Sequence, residues 1–334
     1  VRGRLLQILN YSLCTTYSIY KQDIFLLFNV SLQLSAVTAY LDLSLVYGSD
    51  KTTEESVRAF SGGRLKSVKR NGQEWPPQDP EVNLTCVKVD SPTSPCYYAG
   101  DVRVNQNPQL TLLQVVLLRE HNRIAGILSQ LNPHWCDDII FQETRRILIA
   151  ISQAITYYQY LPIILGYENM VKHKLIYPNA CSYVNDYDPN VDASVLNEHA
   201  TSSFRYFHTN IQGILEKYSE SRNMVGHIYI SDHINNPKVL EQGDNFSDLA
   251  RGLTVQPEAE GDKYFDEEIT ERIFKTVGEL GDDLPTIDIH RSRDHGVPSY
   301  KDTRAACGLS VPVTFSDMEE YIPAESVKIL EESY

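Results

Sequence analysis

His208 has a side chain that could hold a metal or move a proton, although a histidine among aromatic neighbours is more often a hydrogen-bonded core residue. It lies in Phe204-Arg205-Tyr206-Phe207-His208-Thr209, where an imidazole can ligate a transition metal or simply satisfy hydrogen bonds inside a core. Arg205 stands one turn earlier, so on a helix its guanidinium shares the histidine's face and can pair with a carboxylate. A second charged block, Thr286 to Gly296 (TIDIHRSRDHG), interleaves Arg291, Arg293, Asp294 and His295 with apolar residues, a pattern that solvated helix faces share but that here suggests a buried ion network. In Thr38-Ala39-Tyr40-Leu41-Asp42-Leu43-Ser44, an extended backbone puts the side-chain oxygens of Thr38, Asp42 and Ser44 on one face. Hard oxygen donors so arranged suit Ca²⁺, although a half-buried strand with polar outward residues reads the same way. Arg103 lies in Ala99–Gln106 and is either solvent-facing or a fixed cation beside a pocket. Asp186 to Asp192 (DYDPNVD) opens like an EF-hand loop, but Val191 replaces the turn glycine and Asn197 the bidentate glutamate. That stretch reads as a turn and helix cap.

These residues need elements to hold them. Asn107 caps and Pro108 opens a helix whose apolar pattern, Leu113, Val116, Leu117, Ile124 and Leu128, runs to Asn132-Pro133. A second helix starts near Asp137 or Asp138, carries Ile140, Ile147, Ile151, Ile155 and Tyr158 on one face, and ends before Pro162. A third is expected from a cap near Asp192 through Phe204, His208 and Ile211 to about Tyr218. Residues 61–100, rich in Gly, Pro and Ser, read as loops and short strands. The fold class is mainly α, with no composition shift marking a domain boundary.

The 334 residues are 42% hydrophobic and 22% charged, which supports a sizeable core. Thirty basic against 44 acidic residues leave a net charge of −14, so phosphate backbones are repelled and nucleic-acid binding is not expected. The best apolar run, Ile24 to Leu34, is broken by Asn29, Ser31 and Gln33, so no membrane span is expected. The chain starts at Val1 without a signal-like segment and stops within an amphipathic stretch, as a piece of a longer protein would. Of six cysteines, Cys86 and Cys96 flank a turn-rich segment that can close as a disulfide. Cys14, Cys136, Cys181 and Cys307 have no evident partner and read as candidates for buried thiols. Sequons at Asn10, Asn29, Asn83 and Asn245, together with the Cys86–Cys96 spacing, favour an extracellular, secreted protein.

Seven blocks carry a family resemblance: TAYLDLSLVYGS (38–49), FSGGRLK (60–66), AGDVRVNQNPQLTLLQVVLLREHNRIA (99–125), FQETRRI (141–147), YLPIILG (160–166), FRYFHT (204–209) and HRSRDHGVPSY (290–300). In order and spacing they resemble the animal haem peroxidase (peroxidase–cyclooxygenase) family, with the flavour of secreted arthropod, chorion-type enzymes. The likeness covers about residues 34–334 and leaves 1–33 outside it. It implies a helical peroxidase domain, truncated at both ends, with haem b and Ca²⁺ as cofactors.

By resemblance, His208 is the proximal ligand of the haem iron and Asp288 accepts its other N–H where the family usually has asparagine. Arg205 and Arg291 become the propionate and haem-edge arginines, and Arg103 the distal arginine. Thr38, Tyr40 through its carbonyl, Asp42 and Ser44 become the calcium loop; Cys86–Cys96 becomes a family disulfide. Gln106 stands where the mammalian enzymes form a haem ester through glutamate, which an amide cannot do. Phe207 replaces an expected glycine beside the iron ligand and threatens to displace helix or haem. The distal histidine and its following aspartate are missing, since the first histidine is His121. The implied reaction is reduction of hydrogen peroxide with one-electron oxidation of phenolic or tyrosyl donors, impaired here for want of a distal base. The alternatives are a non-catalytic secreted binding or adhesion protein on this scaffold, or a haem dioxygenase of the same superfamily.

Overall fold

Capping residues set the helix starts of this chain much as their chemistry dictates. The Asp50, Asn107, Asp283 and Ser299 side chains each accept a backbone N–H from the first turn that follows. The computed structural model describes residues 35–80, 86, 94–178, 182, 184–275 and 280–334. Residues 1–33, the sequons at Asn10, Asn29 and Asn83, and Cys14 and Cys181 lie outside the described residues.

The order begins with α1 (Ser44–Tyr47), α2 (Lys51–Val57), a hairpin of β1 (Val68–Arg70) and β2 (Gln73–Trp75), and α3 (Pro108–Leu131). There follow α4 (Asp137–Ile155), α5 (Leu161–Leu165), α6 (Tyr167–Lys172), α7 (Asn197–Thr201), and a second hairpin, β3 (Ile214–Tyr218) with β4 (Met224–Tyr229). The remainder is α8 (Asn245–Gly252), α9 (Glu267–Thr270), α10 (Leu284–Asp294), α11 (Tyr300–Ala306) and α12 (Ala324–Ser333). Both hairpins are antiparallel, with Val68 opposite Trp75 and Ile214 opposite Tyr229. The fold is mainly α, and the strands in 61–100 fall where the turn-rich composition put them.

Helix α3 lies between two apolar clusters. Leu112 and Val115 pack with Trp75, Tyr97, Leu215, Phe246 and Ile269, whereas Leu118 and Ile124 pack with Tyr47, Leu65, Phe141 and Leu148. The expected faces need correction. Leu113 and Val116 of α3 and Ile147, Ile151, Ile155 and Tyr158 around α4 are exposed. The buried positions are instead Leu112, Val115 and Leu118, and Ile140, Phe141, Thr144, Leu148 and Ile149. Both helices are apolar on two sides, as helices enclosed within a larger body are, and periodicity alone does not say which side is covered here.

The second helix also does not stop before Pro162. A π-helical turn, Thr156–Tyr160, carries the chain into α5, where Pro162 occupies a first-turn position that needs no donor. The resulting run Asp137–Leu165 is, by length and composition, long and apolar enough to cross a membrane, which the broken-run argument did not anticipate. Within the fold it packs against α3, and Arg58 clasps its first turn. That guanidinium donates to Asp137 (2.9 Å) and Asp138 (2.8 Å) and lies 4.2 Å from the Phe141 ring centre. Gly63, at φ +66°, passes so close to α4 that a Cβ would come 2.5 Å from the Ile140 side chain.

The third helix is the largest revision. Helix α7 spans only Asn197–Thr201; Ser202 leaves helical geometry (φ −131°, ψ −78°), Ser203–Asn210 is a 3₁₀ segment, and Ile214–Tyr218 is strand. The Ser202-Ser203 pair offers the backbone local alternatives to a continuing α-helix, and Gly213 precedes a β-branched residue that suits the strand.

Candidate functional site

Three residues per turn is the relevant property of the 3₁₀ segment, because it places Arg205 directly above His208. Both meet Asp288, presented by α10. His208 Nδ1 is 2.5 Å from Asp288 Oδ2, and the Arg205 guanidinium is 3.7 Å from Asp288 Oδ1. Arg291 lies three residues beyond Asp288 on the same helix face. The ionised carboxylate only accepts, so Nδ1 carries the hydrogen, and Nε2 is the nitrogen left with its lone pair. Among the described residues no hydrogen bond reaches that Nε2.

The cluster is short of negative charge. Burial, Arg291 and Arg103 push the Arg205 guanidinium below its ordinary pKa, and Asp288 does not restore it. Arg205 Nε, Arg291 Nε and Asp288 Oδ1 are buried without a hydrogen-bond partner among the described residues. Such atoms are costly unless a ligand completes them. A preoriented imidazole with a free nitrogen beside under-compensated guanidiniums fits a haem: nitrogen for the metal, arginines for the propionates.

The other expected residues are distributed as follows. Arg103 sits in a 3₁₀ turn (Val102–Asn105) just ahead of α3, but its guanidinium folds back onto Asp101 in a bidentate pair (2.9 and 2.7 Å). That pairing holds the Asp101 carboxyl below its ordinary pKa. The signal was an acid two residues upstream, where its side chain also caps the turn. Gln106 follows, its carbonyl accepting from Asn235 N at 3.1 Å. Thr38 Oγ1 lies 2.8 Å from Asp42 Oδ1, 3.1 Å from Ser44 Oγ and 3.4 Å from the Tyr40 carbonyl, so the four expected oxygens converge. Among the described residues no group of three His, Cys, Asp or Glu side chains gathers around a common point. Cys86 and Cys96 form a disulfide, Cα atoms 6.0 Å apart.

The Phe207 ring packs edge-on against Phe204 (5.4 Å) and Tyr206 (5.6 Å) and lines a cleft of about 500 Å³ shared with Tyr160 and Gln109. Cys136 is an exposed free thiol at the start of α4, not a buried one. Asn245 is engaged as well: Nδ2 donates to the Val239 carbonyl and Oδ1 accepts from Lys217, bonds that a glycan on that nitrogen would disrupt.

His121 is fully buried. A carbonyl can only accept, so Nε2–H donates to Gly63 O (2.9 Å) and Nδ1 accepts the Tyr47 hydroxyl (2.8 Å). Desolvation lowers its pKa to about 4 and pushes the Tyr47 phenol up. The first histidine of the sequence is thus a neutral core residue with both nitrogens occupied.

Comparison with known proteins agrees with this geometry. The family model for animal haem peroxidases matches residues 11–334, starting ahead of the resemblance blocks. A Drosophila melanogaster peroxidase is 52% identical over 83% of this chain and 40% of its own length; a chorion peroxidase of the same fly is 36% identical over 81% and 33%. The chain therefore spans two fifths or less of these relatives. Among solved structures, peroxidase A from Dictyostelium discoideum superposes with a TM-score of 0.74 at 31% identity, covering 88% of this chain and 55% of that one. An Arabidopsis thaliana fatty acid alpha-dioxygenase reaches 0.67 at 17% identity over 88% and 48%, a likeness of fold alone. With the model matching nearly its whole length and a relative 52% identical over 83% of it, the chain belongs to the animal haem peroxidase family.

Proposed function

We propose that this chain is the haem-holding part of an extracellular peroxidase, with His208 as axial ligand and hydrogen peroxide as the oxidant it reduces. The carrying observation is the 2.5 Å contact between His208 Nδ1 and Asp288, which orients the ring and leaves Nε2 free. A haem bound there would supply the redox chemistry, drawing single electrons from phenolic or tyrosyl donors. Arg205 and Arg291 would hold its carboxylates and find the partners their buried Nε atoms lack. With a haem bound, Asp288 would strengthen the imidazole's donation and favour the oxidised metal, lowering the reduction potential.

Arg103 and Gln106 would be the polar groups offered to the peroxide. Arg103 would contribute a permanent cation, but its pairing with Asp101 offsets much of that charge. His121 cannot act as base from its buried position. Loss of a general base costs about 10²–10⁴-fold, so slow turnover is the expectation for this chain alone.

The oxygens of Thr38, Tyr40, Asp42 and Ser44 are assigned to Ca²⁺ on their convergence. The disulfide and the chorion relatives support secretion. The uncovered apolar sides of α3 and α4 support an incomplete domain over the described part of residues 34–334. The Asp101-paired Arg103 and locked His121 favour one second reading, a non-catalytic secreted binding protein.

Haem titration separates the two. The peroxidase reading expects a Soret band that His208→Ala abolishes, together with peroxide-driven oxidation of a phenolic dye. Folded protein that takes up no haem would overturn it.

A further inference from the structure

His295 closes the charged block of α10, and nothing in the haem-holding arrangement has used it. It is the C-cap of that helix, fixed by the two bonds that terminate it. Gly296 N donates to Arg293 O (3.1 Å) and Val297 N to Ser292 O (2.9 Å), with Gly296 at φ +64°. Two further bonds join His295 to Asn197, the first residue of α7. Asn197 Nδ2 donates to the His295 carbonyl (3.2 Å), which can only accept, so Oδ1 is the amide atom facing the ring. That oxygen also only accepts, so His295 Nδ1 carries a hydrogen and donates it (2.9 Å). The carbonyl bond is an ordinary cap, since the last carbonyls of a helix lack partners of their own. Capping needs no ring, and the second bond calls for another account.

We propose that Asn197 and His295 are positioning residues that hold the His208–Asp288 pair in register, a role that rests on the reading of His208 as axial ligand. Seven residues make almost two helical turns, so Asp288 and His295 share one face of α10, about 10 Å apart. Asp288 meets His208 and Arg205 at one end of that face, and His295 meets Asn197 at the other. Among the described residues these are the polar ties between 197–210 and 284–295. A single tie leaves a helix free to pivot; a second, two turns away, fixes both its rotation and its slide.

The segment facing α10 transmits that constraint across the break at Ser202. Ser202 N donates to Glu198 O (3.1 Å), Arg205 N donates to Ser202 O (2.9 Å), and the His199 and Phe204 rings lie 4.9 Å apart over the same bend. The contact to be protected is short. His208 Nδ1 and Asp288 Oδ2 are 2.5 Å apart, and a drift of ~1 Å would take them past the ~3.2 Å at which such bonds end.

The test uses the full chain, first without haem. Imidazole NMR reads the His208 Nδ1 proton, which a short bond to a carboxylate places far downfield, and Asp288→Asn identifies the signal by removing that charge. Asn197→Ala and His295→Ala should move the signal upfield or lose it to exchange with water. His295→Asn, whose amide N–H stands where Nδ1 stood, should restore it; His295→Gln, with its N–H one atom farther out, should not. That matched pair decides the question even where an alanine variant fails to fold, and thermal unfolding checks each protein. With haem added, Asn197→Ala should shift the reduction potential towards that of Asp288→Asn and weaken haem binding about tenfold. A His208 signal unchanged in folded Asn197→Ala and His295→Ala, or identical in His295→Asn and His295→Gln, would overturn the positioning role. Wild type that shows the expected NMR responses but binds no haem would instead overturn the axial-ligand reading, so the two failures are distinguishable.

Discussion

Acidification should destabilise this protein through His121. In the unfolded chain this imidazole titrates near its ordinary 6.5, whereas burial holds it at about 4 in the fold. Between those values the unfolded state binds the proton and the folded state does not, so stability falls as pH falls. The full difference is worth about 3 kcal/mol below pH 4, of which about 2 kcal/mol is already lost at pH 5, at about 1.4 kcal/mol per pKa unit. Neither nitrogen can accept the extra proton without breaking the hydrogen bond to Tyr47. The assay is urea unfolding of wild type and His121→Gln at pH 7 and pH 5. Carboxylates shared by the two proteins cancel, and wild type should lose about 2 kcal/mol more than the variant over this step. Equal losses would refute the neutral, buried assignment and restore His121 as a candidate acid–base group.

Asp288→Asn keeps the size of the side chain but removes its charge; haem affinity should drop about 10–100-fold and the reduction potential should rise, read by haem titration and spectroelectrochemistry. Gly63→Ala, at φ +66° against Ile140, should cost at least about 1–3 kcal/mol in thermal unfolding. Reducing Cys86–Cys96, which closes a loop of sequence separation 10, should cost about 3 kcal/mol relative to the oxidised protein in denaturant titration.

Local chemistry in the sequence foretold the fold best where one residue decides the outcome. Asn107 and Pro108 start α3 as read, and Asn132 ends it. The charged block around Asp288 does assemble with the histidine segment, because resemblance supplied a long-range pairing that no local pattern contains. Periodicity failed where two answers satisfy it. Ile147, Ile151 and Ile155 form as regular a stripe as Ile140, Thr144 and Leu148, and only the packed neighbours choose between them. The path through Ser202 into a 3₁₀ segment was hidden because an i, i+3 arginine–histidine pair suits either helix type.

The Asp101–Arg103 fork has a bearing on what could free this arginine. Because the carboxyl already sits below its ordinary pKa, a mildly acidic medium leaves the clasp closed. The guanidinium is released instead when a rival anion offers it comparable geometry. Ligand arrival, and not protonation, is then the event that unlocks this arginine.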